Sequence, residues 1–88
     1  MILSKRDEHE AYRAGAERYL RRAARRMGLP AFDPSEHALA AMTIVLVIEY
    51  KKYQPAATSG TQRLRTEMER VERLEQFASN TVREDLKQ

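Results

Sequence analysis

The sequence contains no cysteine and only three glycines. Without cysteine the chain has no disulfide, no thiolate metal ligand and no catalytic thiol. Small secreted domains usually depend on disulfides, so we expect a protein of the reducing cytoplasm. The amino terminus lacks the apolar core of a signal peptide, and the longest apolar run, residues 38–48, is shorter than the ~20 residues of a membrane span. The composition therefore predicts a cytoplasmic protein without a membrane segment.

Chain length predicts one domain, residues 1–88. A chain this short buries only about 60–65% of the surface that its unfolded form exposes. A second chain could therefore supply part of its stability. The net charge of +3 is mild, and it tolerates an anionic partner without requiring one.

Capping residues divide the chain into helices. Ser4 fits a helix start, and Asp33 is expected to cap a second helix with Pro34 at its first position. Gly28 fits a C-terminal glycine cap, and Pro55 disfavours helix at the residue before it. The sequence therefore predicts an all-α, three-helix bundle-like protomer with helices at 5–27, 34–54 and 60–86.

The first helix divides into an apolar and a basic face. At 100° per residue its apolar face contains His9, Tyr12, Ala16, Tyr19, Leu20, Ala23 and Met27. The opposite side, which we call the arginine face, contains Arg18, Arg21, Arg22, Arg25 and Arg26.

The second helix is apolar on all sides between residues 38 and 48, which predicts burial on every side. Two other helices of one chain could not enclose it, so we expect a homodimer. The predicted interface consists of Leu39, Met42, Ile44, Val45, Leu46, Val47 and Ile48. The β-branched residues at 43–48 also allow a buried strand, but no other segment reads as a partner strand.

The third helix carries one apolar stripe that approximates a coiled-coil seam. Its members are Leu64, Met68, Val71, Leu74, Ala78, Val82 and Leu86. Glu75 and Asp85 interrupt the heptad, and Phe77 lies off the stripe. This pattern is more typical of packing within its own bundle than of an isolated zipper.

No enzyme signature is present. The glycines are scattered, which excludes a phosphate-binding loop, and His9 and His37 lack the spacing of a metal pair. We interpret both histidines as packed or boundary residues and expect no metal or cofactor. A carboxylate run on helix 3 is interleaved with arginines, so we expect ion pairs on a solvated surface rather than acid–base chemistry. Its members are Glu67, Glu69, Glu72 and Glu75, with Arg63, Arg65, Arg70 and Arg73.

The arginine face is the densest unusual feature. Arg22 and Arg26 have no acidic residue at helical spacing, whereas Glu17 can pair with Arg21 and Arg13. A solvated face, favoured by the helix dipole or by bridges to helix 3 carboxylates, would account for it. All members are arginines, whose planar forks suit carboxylate or phosphate, so an acidic protein surface or a nucleic acid are the functional interpretations.

Two other segments bear on function. Gln62, Arg63 and Arg65 begin helix 3, and with helix 2 they could form a helix-turn-helix that reads bases. Tyr50 and Tyr53 flank two lysines at the end of helix 2, where we expect them to close the core.

The leading prediction is a dimeric, non-catalytic helical interaction protein, meaning an adaptor, regulator or inhibitor with a protein partner. In size and composition it is similar to small phage- and plasmid-encoded proteins, including anti-CRISPR inhibitors, a likeness that rests on no motif. The alternative prediction is a DNA- or RNA-binding regulator.

Overall fold

The computed structural model describes residues 4–52 and 60–88. It contains three α-helices, α1 (Lys5–Arg26), α2 (Glu36–Val47) and α3 (Gly60–Leu86). A π-helical turn, Ile48–Lys52, continues α2 directly. The three helices pack together, which confirms the all-α prediction. Residues 43–48 are helical, so the strand alternative is wrong. The predicted end of helix 2 at residues 53 and 54 lies outside the described residues.

Serine caps begin the first two helices. Ser4 Oγ accepts from the Asp7 backbone N–H at 3.1 Å, as predicted. Ser35 caps α2, because its Oγ accepts from the Ala38 backbone N–H at 3.1 Å. The prediction that Asp33 caps this helix is wrong. The Asp33 carboxylate instead pairs with Arg21 at 3.0 Å, and the helix begins only after Ser35, whose backbone is extended.

A glycine turn ends α1. Gly28 has a φ of 81°, a left-handed conformation that glycine adopts without strain. The Leu29 N–H donates to the Ala24 carbonyl at 2.8 Å, and the Gly28 N–H donates to the Arg25 carbonyl at 3.0 Å. This pair of bonds is the Schellman motif, and it confirms the predicted C-terminal cap.

The core lies where the three helices meet. Its largest fully buried side chains are Leu20 from α1, Met42 from α2, and Leu74 and Val82 from α3. Small residues fill the remaining positions and allow close approach of the helices; they are Ala16, Ala23, Ala24, Ala38 and Ala78. These residues confirm the predicted apolar face of helix 1 except at its start. His9 is exposed, because the core along α1 begins only at Tyr12.

Polar contacts fix how α3 lies against α2. Asp85 accepts hydrogen bonds from the backbone N–H and hydroxyl of Ser35, at the start of α2. Arg73 donates to Glu49, just beyond the other end of α2, at 2.7 and 3.0 Å. As the chain runs forward along α2 it runs backward along α3, so the two helices are antiparallel.

The other two helices of the chain do not enclose helix 2, in agreement with the prediction for a single copy. Its inner face, which includes Leu39, Met42 and Leu46, is buried, but Ile44 is 59% exposed and Ile48 is 37% exposed. The neighbouring helices cover one side of α2 and leave the other uncovered.

Burial along α3 is also uneven. Leu74, Ala78 and Val82 are fully buried, whereas Leu64, Met68 and Leu86 are largely exposed. Phe77, which the heptad pattern placed off the stripe, packs against the core beside α2. Within the described residues, no helix combines the length and the apolar character that crossing a membrane requires.

Candidate functional site: the arginine face of α1

The structure divides the arginine face into edges and a centre. At 100° per residue, Arg21 and Arg26 lie at its two edges, nearest to the neighbouring elements. Arg18, Arg22 and Arg25 lie between them, and all three are exposed. We call these three central residues the arginine stripe. The edges and the stripe have different partners, so they require separate interpretations.

Arg21 holds the connection between α1 and α2. Its Nη2 atom lies 3.0 Å from Glu17 and 3.0 Å from Asp33, and its Nη1 donates to the Phe32 carbonyl at 3.1 Å. The hydrogen bonds to Glu17 contribute most to raising the pKa of the Arg21 guanidinium above its ordinary value. The predicted Glu17–Arg21 pair is confirmed, and this arginine has a structural role within the chain.

Arg26 joins α1 to α3. Its Nη1 lies 2.7 Å from Glu75 Oε2, which supplies the acidic partner that helix 1 itself lacks. Arg13, predicted to pair with Glu17, instead pairs with Glu36 at the start of α2, at 2.7 Å. Hydrogen bonds from this pair raise the pKa of Arg13 and lower the pKa of Glu36. Both contacts join separate helices, which the spacing within one helix cannot reveal.

The arginine stripe faces solvent. Arg18 and Arg25 make no ion pair with the described residues of the chain. Arg22 lies over the Tyr19 ring, with 5.9 Å between the guanidinium carbon and the ring centroid. Like charges at i,i+4, such as Arg18 and Arg22, destabilise a helix by a few tenths of a kcal/mol. Within the described residues, the stripe is therefore a row of guanidinium groups that form no ion pair with a carboxylate.

A tyrosine–arginine cluster lies at the α1–α3 junction behind Arg22. Tyr19 and Tyr50 share a side-chain hydrogen bond, and burial is the main cause of the raised pKa of Tyr19. On the other side, the buried Arg70 lies over the Tyr50 ring at 4.8 Å. Such stacking on a desolvated ring is favourable. Tyr50 thus closes one end of the core as predicted, but sequence reasoning missed Arg70, which looked like a surface residue of a charged helix.

The alternative nucleic-acid residues lie elsewhere. Gln62, Arg63 and Arg65 are exposed in the first turns of α3, away from the arginine stripe. The two helices of a helix-turn-helix cross at about 90–120°, whereas α2 and α3 are antiparallel. The predicted turn between them, residues 53–59, lies outside the described residues.

The carboxylate run of α3 forms few contacts within its own helix. Glu67 pairs with Arg70 at i,i+3, in agreement with the predicted ion pairs. Arg73 and Glu75 instead pair with Glu49 and Arg26 of other helices. Two of the eight charged residues in this run therefore form ion pairs with residues outside α3.

The predicted dimer residues separate into two groups. Leu39, Met42 and Leu46 belong to the core of the single chain, and Val45 is partly buried against that core. Ile44 and Ile48 face outward, with Val47 half-buried beside them. Only the outward group, together with Ala40 and Ala41, remains accessible to a second copy.

One cleft lies where α2 begins and α3 ends. It has a volume of about 310 Å³ and is lined by His37, Phe77, Asn80 and Glu84 among others. In the described part of the chain, no three His, Cys, Asp or Glu residues come together as a metal site would require. Its lining mixes apolar side chains, such as Phe77, with polar ones, such as Asn80 and Glu84.

Comparison with protein-family models, curated proteins and solved structures finds no match to this chain.

Proposed function

We propose that this chain is a non-catalytic interaction protein, an adaptor, regulator or inhibitor, which binds an acidic protein surface through the arginine stripe. The observation that supports the proposal is the contrast within the arginine face. Arg21 and Arg26 pair with carboxylates of the chain, whereas Arg18, Arg22 and Arg25 form no ion pair with the described residues. An anionic partner would relieve the repulsion among these three charges, and their planar forks suit carboxylates or phosphates.

The surroundings of the stripe favour a compact acidic patch over a nucleic-acid backbone. Arg18 and Arg25 are seven residues apart, which corresponds to about 10 Å along the helix. The stripe is bordered by Glu17 and Asp33 on one side and by Glu75 on the other. A phosphate backbone that continued past the stripe would meet these carboxylates, whereas a small cluster of acidic side chains would not.

Matched charge reversals test this proposal. The first variant carries Arg22→Glu and Arg25→Glu, and the control carries Arg63→Glu and Arg65→Glu, which changes the net charge equally. Binding of a fluorescent oligoglutamate peptide is measured by anisotropy at low and high salt. We expect about a tenfold or larger loss of affinity for the first variant only, because two desolvated charge pairs are removed. Equal losses in both variants would show attraction by net charge alone and would contradict the proposal.

A nucleic-acid regulator is the second candidate, favoured by the exposure of Gln62, Arg63 and Arg65 at the start of α3. It predicts binding to a 20-base-pair duplex that weakens steeply with salt, because phosphate contacts release counterions. The same two variants distinguish the candidates. If the duplex binds more tightly than the peptide and the α3 variant loses that binding, the nucleic-acid candidate replaces the first.

We further propose that the chain forms a homodimer through the outer face of α2. Ile44 and Ile48 expose apolar surface there, and its burial against a second copy is favourable by about 25 cal/mol per Å². Light-scattering mass on a sizing column is expected to give twice the 10.2 kDa chain. Ile44→Glu should give the monomer, while Leu64→Glu, on an exposed position of α3, should not. A monomeric parent protein at high concentration would refute self-association.

A further inference from the structure

We infer that two copies pair with their α2 helices antiparallel, so that the two Ile44 side chains meet on the two-fold axis. This inference rests on the proposed self-association and adds the orientation of the pair. It depends on the order of small and large side chains along the outer face of α2, and on the charges at its two ends.

The outer face of α2 is centred on Ile44. At 100° per residue, Ala40 and Val47 lie on one side of Ile44, and Ala41 and Ile48 lie on the other. Ile44 and Ala40 are exposed, Ile48 is 37% exposed, and Ala41 and Val47 are half-buried. Both small residues therefore precede Ile44, and both large residues follow it.

An antiparallel arrangement matches small residues with large ones. In this arrangement the two-fold axis is perpendicular to both helices, so the second helix runs in the opposite direction. A residue on one side of the outer face then lies opposite a residue on the same side of the second copy's outer face. Ala40 then faces the second copy's Val47, and Ala41 faces the second copy's Ile48. Each contact occurs twice, as an isologous interface requires. Alternation of large and small residues across facing positions fills the space between helices.

A parallel arrangement matches the same residues poorly. Here the two-fold axis is parallel to both helices, so residues that face each other lie at the same height along the helices. A residue on one side of the outer face then lies opposite a residue on the other side of the second copy's outer face. Ala40 then faces the second copy's Ala41, which leaves a gap. Val47 faces the second copy's Ile48, which forces the helices apart. Voids and overpacking both destabilise an interface, so the shape of this face favours the antiparallel pair.

The charges at the ends of the face favour the same orientation. Glu36 begins α2, and Lys51 lies in the π-helical turn that follows it. Both side chains remain largely exposed although they pair with Arg13 and Glu8, respectively. In this register the antiparallel pair places the exposed His37 opposite the second copy's Lys51, with Glu36 beside His37, whereas the parallel pair places Lys51 opposite the second copy's Lys51. Opposed helix dipoles add to this preference.

Disulfide cross-linking tests the orientation directly, because the chain has no cysteine of its own. Ala40→Cys and Val47→Cys are prepared separately, and one of them carries a short tag that distinguishes it by mass. Each variant alone and their equal mixture are oxidised with diamide and separated on a non-reducing gel. Far-ultraviolet circular dichroism checks that both variants keep the helix content of the parent, and light scattering confirms the mass before oxidation.

We expect the mixture to give about tenfold more disulfide dimer than either variant alone, because a disulfide forms only where Cβ atoms approach within ~4.5 Å. Efficient cross-linking of Ala40→Cys with itself or with Ala41→Cys would overturn the antiparallel orientation in favour of the parallel one. A dimeric mass without cross-linking of these positions, but with cross-linking of Leu64→Cys, would place the contact on α3 and overturn the inference while self-association stands. A monomeric mass would refute both.

Discussion

Leu74, Ala78 and Val82, in the second half of α3, are fully buried, whereas Leu64 and Met68, in the first half, expose 63% and 58% of their surface. All five residues belong to one apolar stripe with the same helical spacing. The two halves thus share a pattern and differ in what covers them.

Helix length accounts for much of this difference. α3 has 27 residues and α2 has 12, so α3 is about 40 Å long and α2 about 18 Å at 1.5 Å per residue. α2 is anchored to the second half of α3 through Ser35 and Glu49, which contact Asp85 and Arg73. Its helical span therefore lies over residues 73–85 and does not reach Leu64 and Met68. The comparison shows that an amphipathic stripe predicts which face is apolar, but not whether another helix lies over it.

The largest effect is expected from a substitution that disrupts the core in the second half of α3. Leu74→Ala should lower the free energy of unfolding by about 2–5 kcal/mol, because it removes a fully buried side chain and leaves a cavity. Leu64→Ala is the matched control in the first half and should change stability by no more than ~0.5 kcal/mol. Urea unfolding of both variants measures the contrast. Similar losses in both would mean that the first half is also covered in solution, as a dimer contact on α3 would require.

A smaller effect is expected at the anchored end of α3. Asp85→Ala removes the acceptor for the backbone N–H and hydroxyl of Ser35 and should cost about 1–3 kcal/mol, since it leaves partly buried donors unpaired. Glu84→Ala is the control, because among the described residues Glu84 forms an ion pair with the exposed Lys87 alone. Thermal unfolding of both variants at neutral pH tests the prediction. A control as destabilising as Asp85→Ala would contradict the proposed anchoring role.

The smallest effect concerns an ion pair at the surface. The hydrogen bonds and charge of Arg13 hold the pKa of the Glu36 carboxyl below its ordinary value. The stabilisation from this pair is therefore present above the unfolded-state pKa and is lost as the pH falls through the folded-state pKa. In Arg13→Gln, an NMR titration should show the pKa of Glu36 rising towards its ordinary value. An unchanged titration curve would show that the pair does not persist in solution.

Local features of the sequence were sufficient to predict the helices. The caps at Ser4 and Gly28 depend on a few neighbouring residues, and both were confirmed. The start of α2 was predicted at Pro34 because Asp33 is a good capping residue, but Ser35 caps the helix. What decided between them was a contact with Arg21, twelve positions away, which no local pattern contains.

Most contacts between helices were not predicted from the sequence; bridges from the arginine face to helix 3 carboxylates were expected as a class, and Arg26–Glu75 is one of them. Helical spacing identified the Glu17–Arg21 pair, but it could not show that Arg26 reaches Glu75 or that Arg70 is buried against Tyr50. The same limit applies to the candidate site. The sequence grouped the arginines of helix 1 as one face, and only the packing of the neighbouring elements separates the paired edges from the exposed stripe.

The bond between Ser35 and Asp85 connects residues fifty positions apart. The bond from the Ala38 N–H to Ser35 Oγ is local and can form as soon as this turn becomes helical. The contact with Asp85 must await the closure of a long loop, whose entropy makes such contacts late events in folding. Loss of Asp85 should therefore accelerate unfolding more than it slows folding. The contact of the last turns of α3 with Ser35 then slows unfolding of the folded protein and contributes to its kinetic stability.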